Sequence, residues 1–231
     1  MNHRTWESLM IGENLKLIQN NQKQIDLLEE KAKLIYNKVS SGKLNNYIID
    51  DVIDIINGPS IGRKQHRQTG SIRLSNIRLF TNDEFNFKTA KFIDTLEAEK
   101  KYKKYLLKEN DLLVVSATTS FGKHITIRHI HLPLLLNNNI YNFVPKEPLN
   151  AAYLKAYITH GDFKKKMSSV TTGTIIIHTN KTHLKSLDIK LPNIGIVNEL
   201  NDQFSEIYNK KKALLDENYC LRNNWEIDHV G

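Results

Sequence analysis

The loop at residues 62–70 combines cations with hydrogen-bonding side chains, a combination suited to contacts with bases and phosphate groups. Arg63, Lys64 and Arg67 lie in it beside two glutamines and a histidine, and a glycine bounds it on each side. An arginine can hold a guanine edge with two hydrogen bonds, and a glutamine can hold an adenine edge in the same way. An ordinary exposed basic loop accounts for the same residues equally well. The contact surface predicted on the next segment comprises Arg73, Asn76 and Arg78.

Two further segments place hydroxyl groups beside lysines, which is chemistry suited to phosphate contact. Residues 116–123 hold four hydroxyl side chains, a glycine and a lysine, although a tight turn is the simpler explanation of the glycine. Residues 164–174 begin with three lysines at a predicted helix end, where cations also favour the helix dipole, and continue into a hydroxyl-rich loop. The contact residues predicted in these two segments are Ser116, Thr118, Ser120, Lys123, Lys164, Thr171, Thr172 and Thr174.

The sequence lacks the motifs of the common catalytic and cofactor sites. It has no GxxxxGK[ST] loop, no GxGxxG after a strand, no His-Glu-x-x-His and no Asn/Asp-Pro-Pro-Tyr/Phe. The histidines of the middle segment are scattered, and without cysteine partners they do not predict a zinc site. Two Asp-x-Lys fragments, at 162–164 and 188–190, resemble parts of nuclease sites but are common by chance. We therefore predict that the chain is not an enzyme and holds no metal or cofactor.

Two long amphipathic helices are predicted at the ends of the chain. The C-terminal one has a heptad seam of Val197, Leu200, Phe204, Ile207, Lys211, Leu214, Asn218, Leu221 and Trp225. The N-terminal one, over 8–39, has a seam of Ile11, Leu15, Ile18, Gln22 and Ile25, then slips by one residue to Leu28, Ala32, Ile35 and Val39. Neither helix can bury its stripe alone, so we expect the two to pair with each other or with a partner. The polar Lys211 and Asn218 either select the register or mark a frayed helix end.

Between the helices the pattern predicts a mixture of strands, loops and short helices. The predicted strands are 72–77, 112–115, a strand beginning at 125, 174–178 and 187–191, and the predicted helices are 90–105 and 151–166. The strand at 72–77 is predicted from its alternation of apolar and polar residues, and the strand at 112–115 from its continuous apolar run.

The positive charge of the chain is concentrated in its middle. The 231 residues carry a formal net charge of +8, but residues 43–193 hold 23 Lys and Arg against 13 Asp and Glu. That balance of +10 compares with −2 for the two ends together. A basic domain between nearly neutral helices favours a polyanionic partner, with nucleic acid first, whereas a solvated basic surface is the plainer alternative.

The absence of a recognisable targeting segment and the single cysteine predict a cytoplasmic protein. The N-terminus shows no secretory signal, and no stretch approaches the roughly 20 apolar residues that span a bilayer. Cys220 is the one cysteine, which excludes an intramolecular disulfide and a thiolate metal cluster. Because it adjoins Leu221 of the predicted seam, we interpret it as a small packing residue.

Four segments, taken in order, resemble the specificity (S) subunit of type I restriction-modification systems. Residues 11–36 are similar to the spacer helix of that family, and residues 70–77 resemble the early strand of its target recognition domain. Residues 108–114 with Phe121-Gly122 resemble the core of that domain. Residues 172–192 resemble its closing strands and the proline that leads into the next helix.

The resemblance implies half of such a subunit, because the family usually carries two recognition domains alternating with two spacer helices. Two copies of this chain, or this chain and a second half, would rebuild the complete subunit. Two-fold symmetry would then give an interrupted, palindromic DNA site, with the gap set by the length of the helices. In the family the helices dock modification subunits, which bind S-adenosylmethionine and methylate adenine. A restriction subunit that uses ATP can join them.

These inferences combine into one prediction of fold and function. We expect an α/β protein with a mixed-sheet target recognition domain at 43–193, flanked by antiparallel coiled-coil helices at 1–42 and 194–231. Its expected role is sequence-specific recognition of double-stranded DNA for an adenine methyltransferase, as a homodimer or paired with a second half. Two alternatives stay open. One is a stand-alone dimeric DNA-binding regulator, and the other is a coiled-coil scaffold whose basic domain binds protein.

Overall fold

Two long helices enclose a domain of short strands and helices in the computed structural model. It describes the backbone of residues 3–81, 84–117, 120–172 and 178–227, and the side chains of these residues except 3–11, 172, 178 and 224–227. The first long helix is α1 (His3–Ser40) and the last is α7 (Ile194–Ile227). They pack antiparallel, since Asn21 contacts Asn218 and, further along α1, Glu29 contacts Lys211, earlier on α7. The predicted antiparallel pairing of the terminal helices is confirmed.

The segment between the long helices, residues 43–193, is named the middle segment below. Its strands are β1 (Asn45–Ile48), β2 (Ile53–Asn57), β3 (Ile72–Leu74), β4 (Lys91–Ile93), β5 (Leu112–Val115), β6 (His124–Thr126), β7 (Leu134–Leu135), β8 (Ile140–Pro145), β9 (Thr171–Thr172), β10 (His178–Thr179) and β11 (Asp188–Leu191). Its helices are α2 (Ile49–Val52), α3 (Thr95–Lys101), α4 (Ala151–His160), α5 (Phe163–Ser169) and α6 (Lys181–Lys185).

The strands form small sheets, most of them antiparallel. The largest described sheet has the order β2-β8-β5-β6, and every neighbouring pair in it is antiparallel. A second sheet, β4-β3-β7, is mixed, because β3 pairs antiparallel with β4 and parallel with β7. The mixed helix and sheet content, with a long helix at each end, confirms the predicted fold class.

A two-stranded sheet brings the long helices together where they leave the middle segment. Strand β1 follows α1 after four residues, and β11 ends three residues before α7 begins. The two strands pair antiparallel, with Asn45 opposite Leu191 and Ile48 opposite Asp188. The end of α1 and the start of α7 therefore emerge side by side, which positions both helices for pairing along their length.

The central strand β5 is buried on both faces and separates two apolar clusters. Leu112 and Val114 face the larger cluster, whereas Leu113 and Val115 face the second one. The larger cluster also contains side chains from the long helices, namely Ala32 of α1 and Val197, Leu200, Phe204, Ile207 and Tyr208 of α7. The helix pair and the middle segment thus share one core, so the helices hold the middle segment by direct packing.

The seam of α1 differs from the prediction at two of the described positions. Leu15 is 48% exposed, and Asn14 is half-buried in its place. Gln22 is exposed, and Asn21 is buried in its place at 2% exposure. The half-buried and buried positions of α1 then follow an unbroken heptad without the predicted slip, through Asn14, Ile18, Asn21, Ile25, Leu28, Ala32, Ile35 and Val39. The α7 seam is as predicted over its described side chains, and Lys211 and Asn218 are each only 2% exposed. Burial rules out fraying at these two positions.

Four local predictions were wrong. The strand predicted at 72–77 ends at Leu74, because the Asn76 side chain accepts the Arg78 N–H and starts a 3-10 turn at Ile77–Leu79. The strand predicted at 174–178 lies outside the described residues except for His178. Residues 90–105 are helical only over α3 and one 3-10 turn, because β4 pairs with β3 and the Asp94 side chain starts α3 by accepting the Glu97 N–H. The predicted helix 151–166 breaks into α4 and α5 at Gly161, where a Cβ atom would lie 2.5 Å from the Tyr36 hydroxyl oxygen. Cys220 is exposed and is not a packing residue.

Candidate nucleic-acid interface

A groove of about 640 Å³ runs between the middle segment and the paired long helices. We name it the basic groove, and its charged and titratable lining residues are Glu29, Lys123, His124, Lys155, Lys164 and Lys211. Four of these are lysines and one is a carboxylate, so the lining carries a surplus of positive charge. Such a concave surface concentrates positive potential and attracts an anionic chain such as a nucleic-acid backbone.

Two of the predicted contact residues meet at the mouth of this groove. Gly122 adopts a positive φ of 76°, and a Cβ atom there would lie 3.3 Å from the Lys164 Cγ atom. The aliphatic part of Lys164 therefore lies against the turn that carries Lys123, and both lysines are exposed. Lys123 and Lys164, 41 residues apart in the chain, thus line the same groove, and their contact with phosphate stays a prediction.

Hydroxyl and imidazole groups line the floor of the groove next to these lysines. His124 Nε2 lies 3.0 Å from Thr159 Oγ1, and that hydroxyl donates to the backbone carbonyl of Lys155 at 2.7 Å. Thr81, three residues after Arg78, lines the same groove and connects it along the chain to the first predicted contact surface. These side chains add hydrogen-bonding capacity beside the cations.

The inner wall of the groove is a buried ionic cluster that joins α1, α4 and α7. The Lys211 ammonium donates to Glu29, and His160 Nε2 lies 3.5 Å from the other Glu29 carboxylate oxygen. Burial alone would raise the pKa of Glu29, but interaction with His160 and the charge of Lys211 outweigh it and lower the pKa to about 2. Lys155, 9% exposed, holds its Nζ atom 4.5 Å from the Tyr208 ring centroid. The wall is fixed in place by charge pairing across three elements.

The first predicted contact loop lies on a different part of the surface, around a single 3-10 turn at Arg63–Gln65. The Gln65 side chain accepts the Gly62 N–H and donates to Glu97 and Tyr102, which anchors the turn to α3 and the residue after it. Arg63, Lys64 and Arg67 are exposed, and the Arg67 guanidinium donates to the Lys64 carbonyl oxygen at 2.9 Å. Gln65, one of the two glutamines of this loop, is thus used to hold the loop in place, while the cations of the loop face solvent.

The side chains of the predicted contact surface at residues 73–78 are more constrained than those of the loop. The Arg73 guanidinium lies 4.7 Å from the Phe87 ring centroid and is half-buried. The Asn76 side chain accepts the Arg78 N–H at 2.9 Å and caps a 3-10 turn at Ile77–Leu79. Arg78 itself is exposed. Asn76 therefore acts first as a turn residue, and Arg78 is the side chain that this turn presents.

The hydroxyl residues of the predicted phosphate contacts are placed unevenly. Ser116 is 5% exposed, and its carbonyl oxygen accepts both the N–H and the hydroxyl of Thr179, so it lies beneath the surface. Ser120 is half-buried, and the Thr171 hydroxyl donates to the Ser168 carbonyl oxygen. The predictions that fall outside the described residues are Thr118, Thr174 and the side chain of Thr172.

A buried arginine connects the middle segment to α7 near the groove. Arg128, 2% exposed, donates to the carboxylates of Asp216 on α7 and Glu84 in the middle segment. Burial lowers the pKa of His131, which packs beside this cluster at 3.8 Å from Glu84. The arginine therefore ties the segment that follows Arg78 to the C-terminal helix.

Sequence reasoning missed Lys155 and placed Lys211 only as a seam residue. Lys155 lies within six consecutive buried residues of α4, so an isolated cation in an otherwise apolar helix was the available signal. The aspartate of each Asp-x-Lys fragment forms an ion pair with Lys166. The Lys166 Nζ atom lies 3.5 Å from an Asp162 carboxylate oxygen and 3.0 Å from an Asp188 carboxylate oxygen. The described residues contain no cluster of histidine, cysteine and carboxylate groups that would hold a metal ion, and none of their helices is long and apolar enough to cross a membrane.

The fold and the groove define a basic mixed-sheet domain mounted on an antiparallel helix pair. The family described as the type I restriction modification DNA specificity domain matches residues 42–217. This match covers most of the chain, and the chain belongs to that family. No curated protein sequence matches it.

Solved structures with a similar fold come from the same type of system. The HsdS subunit from Thermoanaerobacter tengcongensis is 16% identical, with a TM-score of 0.52, and the alignment covers 95% of this chain and 55% of that one. A structure addressing complex assembly and conformational transition of the type I R-M system gives 16% identity and a TM-score of 0.52, with coverage of 94% and 54%. The S subunit from M. genitalium is 11% identical, with a TM-score of 0.49 and coverage of 93% and 56%. The chain spans about half the length of the solved structures it matches.

Proposed function

We propose that this chain is the DNA-recognition part of a type I restriction-modification methyltransferase complex and contributes one target recognition domain. The observation that carries the proposal is the basic groove, where four lysines from the middle segment and α7 converge around a single carboxylate. The family match and the concentration of positive charge in residues 43–193 support the same role. The chain chooses the DNA site, and partner proteins perform the chemistry.

The basic groove and the exposed cations of residues 63–78 make different kinds of contact with DNA. Lys123 and Lys164 contact backbone phosphates, with Thr159 and His124 beside them, and these contacts set affinity and orientation. The exposed Arg63, Lys64, Arg67 and Arg78 supply the groups that approach base edges or neighbouring phosphates. Each phosphate contact releases counterions, so the affinity falls with salt by roughly 0.9 log units per log unit of salt for each contact.

A complete specificity subunit needs a second recognition domain. This chain spans about half of the solved subunits it resembles, and it carries one middle segment between two helices. Pairing with a second copy, or with a different half, places two recognition domains on one DNA and produces an interrupted site. With two identical halves the site is palindromic, because the two-fold axis of the protein is matched by the DNA.

The long helices supply a surface for the modification subunits. Leu27 and Leu34 of α1 are 64% and 62% exposed, one heptad apart, beside the buried seam. Leu27 borders a groove of about 490 Å³ that also includes Leu28, Ala213 and Leu214. Exposed apolar side chains in register on a rigid rod are typical of a protein–protein contact. An adenine methyltransferase that binds S-adenosylmethionine is the partner that we propose for this face, with an ATP-dependent restriction subunit as a further component.

Duplex binding by the full-length chain tests the DNA-recognition role. Fluorescence anisotropy with a labelled duplex, at several salt concentrations, should show binding that weakens steeply with salt. The double variant Lys123→Gln/Lys164→Gln should reduce the salt slope by about 2, because each lost phosphate contact removes about 1 from it. Each single variant, Lys123→Gln or Lys164→Gln, should account for about 1 of that change. Lys165→Gln is the matched control for these single variants, since Lys165 is exposed and adjacent but is not part of the groove lining.

Two results would contradict the proposal. Absence of duplex retention at low salt would remove the DNA-binding role altogether, because phosphate contacts are strongest there. An equal effect of Lys165→Gln would show that net charge, and not the groove, controls binding. Co-purification of an adenine methyltransferase with the tagged chain tests the partner separately, and mapping of methylated adenines in cells that contain both proteins identifies the DNA site.

A further inference from the structure

The first predicted contact loop is fixed to the rest of the middle segment at both of its ends. Ile61, just before the loop, is 7% exposed and lies in an apolar cluster with Ala98 of α3. His66 Nε2 lies 3.2 Å from the Ile61 carbonyl oxygen. The Arg67 N–H donates to the Phe92 carbonyl oxygen at 2.8 Å, and the Phe92 N–H donates to the Arg67 carbonyl oxygen at 3.0 Å. The backbone of the loop is therefore held in one position.

The Gln65 side chain attaches the middle of this loop to α3, and both ends of its amide are used. Its oxygen accepts the Gly62 N–H at 2.9 Å, and its nitrogen donates to Glu97 at 2.7 Å and to the Tyr102 hydroxyl at 3.1 Å. The Glu97 oxygen that accepts from Gln65 also accepts from Lys101 at 3.0 Å. The hydrogen bond from Gln65, followed by that from Lys101, lowers the pKa of Glu97, so the charged, accepting form of this carboxylate is favoured.

These contacts leave two cations of the loop without an internal role. The Arg63 and Lys64 side chains are exposed, and neither has a hydrogen-bond or ion-pair partner in the described part of the chain. Arg67, by contrast, braces the turn, because its guanidinium donates to the Lys64 carbonyl oxygen at 2.9 Å. A flexible basic loop would meet phosphate groups at many angles, whereas base readout requires donors held in one geometry. Two cations on a fixed 3-10 turn therefore suit contact with base edges.

We propose that Glu97 is a positioning residue for base recognition, which fixes Gln65 and thereby directs Arg63 and Lys64 towards base edges. This inference rests on the DNA-recognition role proposed above. A turn that is ordered before binding loses less conformational entropy when it contacts DNA, so Glu97 influences base preference through Gln65 and without touching DNA. A residue that only stabilised the fold would affect binding to every duplex alike.

Selection of duplexes from a randomised library by the full-length chain measures base preference position by position. Glu97→Ala should lower the enrichment of the preferred base about tenfold at one or two positions, which is the discrimination that one base contact provides. The other positions should keep their preference. Glu99→Ala is the matched control, because Glu99 is exposed on the same helix and loses the same charge, but has no hydrogen bond to the loop among the described contacts.

Exchange of the two hydrogen-bonding groups separates positioning from folding. Glu97→Gln keeps an oxygen that accepts from Gln65, so it should retain the base preference. Gln65→Glu places two carboxylates side by side and should lose the preference. The double variant Gln65→Glu/Glu97→Gln should restore it, because the new amide at position 97 donates to the new carboxylate at position 65. The melting temperature of each variant reports whether it is folded.

Three results would overturn the positioning role of Glu97. They are an unchanged base preference in Glu97→Ala, a loss of the same size in Glu99→Ala, and failure of the double variant to recover what Gln65→Glu loses. An equal loss at every position would also overturn it, since that pattern belongs to a purely structural residue. Duplex retention at low salt is measured separately by anisotropy. A chain that retains duplex, with a base preference that Glu97→Ala leaves unchanged, therefore ends this inference alone and leaves the proposed DNA recognition in place.

Discussion

Asn21 and Asn218 meet in the buried seam between α1 and α7, where the Asn21 side-chain amide donates to the Asn218 side-chain oxygen at 3.0 Å. Both residues are 2% exposed, and the second Asn21 amide hydrogen goes to Glu217 at 2.9 Å. This hydrogen bond across an apolar seam forms only when the two helices align in one register, and the Asn218 side-chain nitrogen is buried without a hydrogen-bond partner in the described part of the chain. The Glu29–Lys211 pair lies 8 residues along α1 and 7 along α7, so it repeats the same constraint one heptad away.

Disruption of one side of the asparagine pair should destabilise the protein more than removal of both. Asn21→Leu leaves Asn218 buried without its partner, so we expect the free energy of unfolding to fall by about 1–3 kcal/mol. Asn21→Leu/Asn218→Leu should recover that loss, because two apolar residues fill the seam without an unsatisfied group. Urea denaturation measures both variants. Gln22→Leu, at the exposed neighbouring position, should stay within about 0.5 kcal/mol of the wild type. A larger effect there than at Asn21 would refute the assigned seam.

The Glu29 carboxylate should make the stability depend on acidic pH. Its folded-state pKa of about 2 lies below the ordinary glutamate value of 4.5, so the folded state binds this proton less readily than the unfolded state. The resulting stabilisation is fully present above pH 4.5 and disappears as the pH falls towards 2, and it amounts to at most about 3 kcal/mol. Chemical denaturation at several pH values should show a shallower acid loss for Glu29→Gln than for the wild type. Parallel pH curves for the two proteins would contradict the assignment.

Two glycines should respond to alanine in opposite directions. Gly122 has a φ of 76°, which an L-residue adopts only with strain, and the new methyl group would also press on Lys164. We expect Gly122→Ala to lower the free energy of unfolding by about 1–3 kcal/mol and to weaken duplex binding, since Lys123 and Lys164 are displaced. Gly12 lies within α1 with open space around its Cα, so Gly12→Ala should add about 0.5–1 kcal/mol. Thermal unfolding and anisotropy check both, and a destabilised Gly12→Ala would show that α1 is not continuous there.

The elements that could be predicted from the sequence are those whose pattern is set within one segment. The seam of α7 follows from 3-4 spacing of large apolar residues, and the continuous apolar run Leu112–Val115 is a strand buried on both faces. The α1 seam is harder to predict from the sequence, because Gln22 and Asn21 are both polar. Only the pairing with Asn218 decides which of the two is buried.

Predictions failed where a distant residue determines local structure. The lysine- and glutamate-rich segment 90–105 looks helical by composition, yet its first residues pair with β3, which lies about 20 residues earlier. Residue 161, directly after α4, is a glycine because the Tyr36 hydroxyl of α1 and the Tyr157 carbonyl oxygen occupy the space that a side chain would need. For the same reason Lys155 was missed, since its role depends on α1 and α7 meeting α4 at one place.

The exposed leucines of α1 should matter for partner binding and not for folding or DNA affinity. Leu27 is 64% exposed and contributes little to the core, so Leu27→Glu should change the free energy of unfolding by less than about 0.5 kcal/mol. The same substitution replaces an apolar side chain with a carboxylate in the groove that we assign to the modification subunit, which Lys31 and Lys210 also line. Desolvation of that carboxylate when the partner binds is unfavourable. We therefore expect an adenine methyltransferase to co-purify with the wild type and to be lost with Leu27→Glu, while duplex affinity is unchanged. Leu96→Glu is the control, since Leu96 is equally exposed on α3, away from the long helices. Loss of the methyltransferase with both variants would mean that added negative charge, and not the α1 face, controls the association.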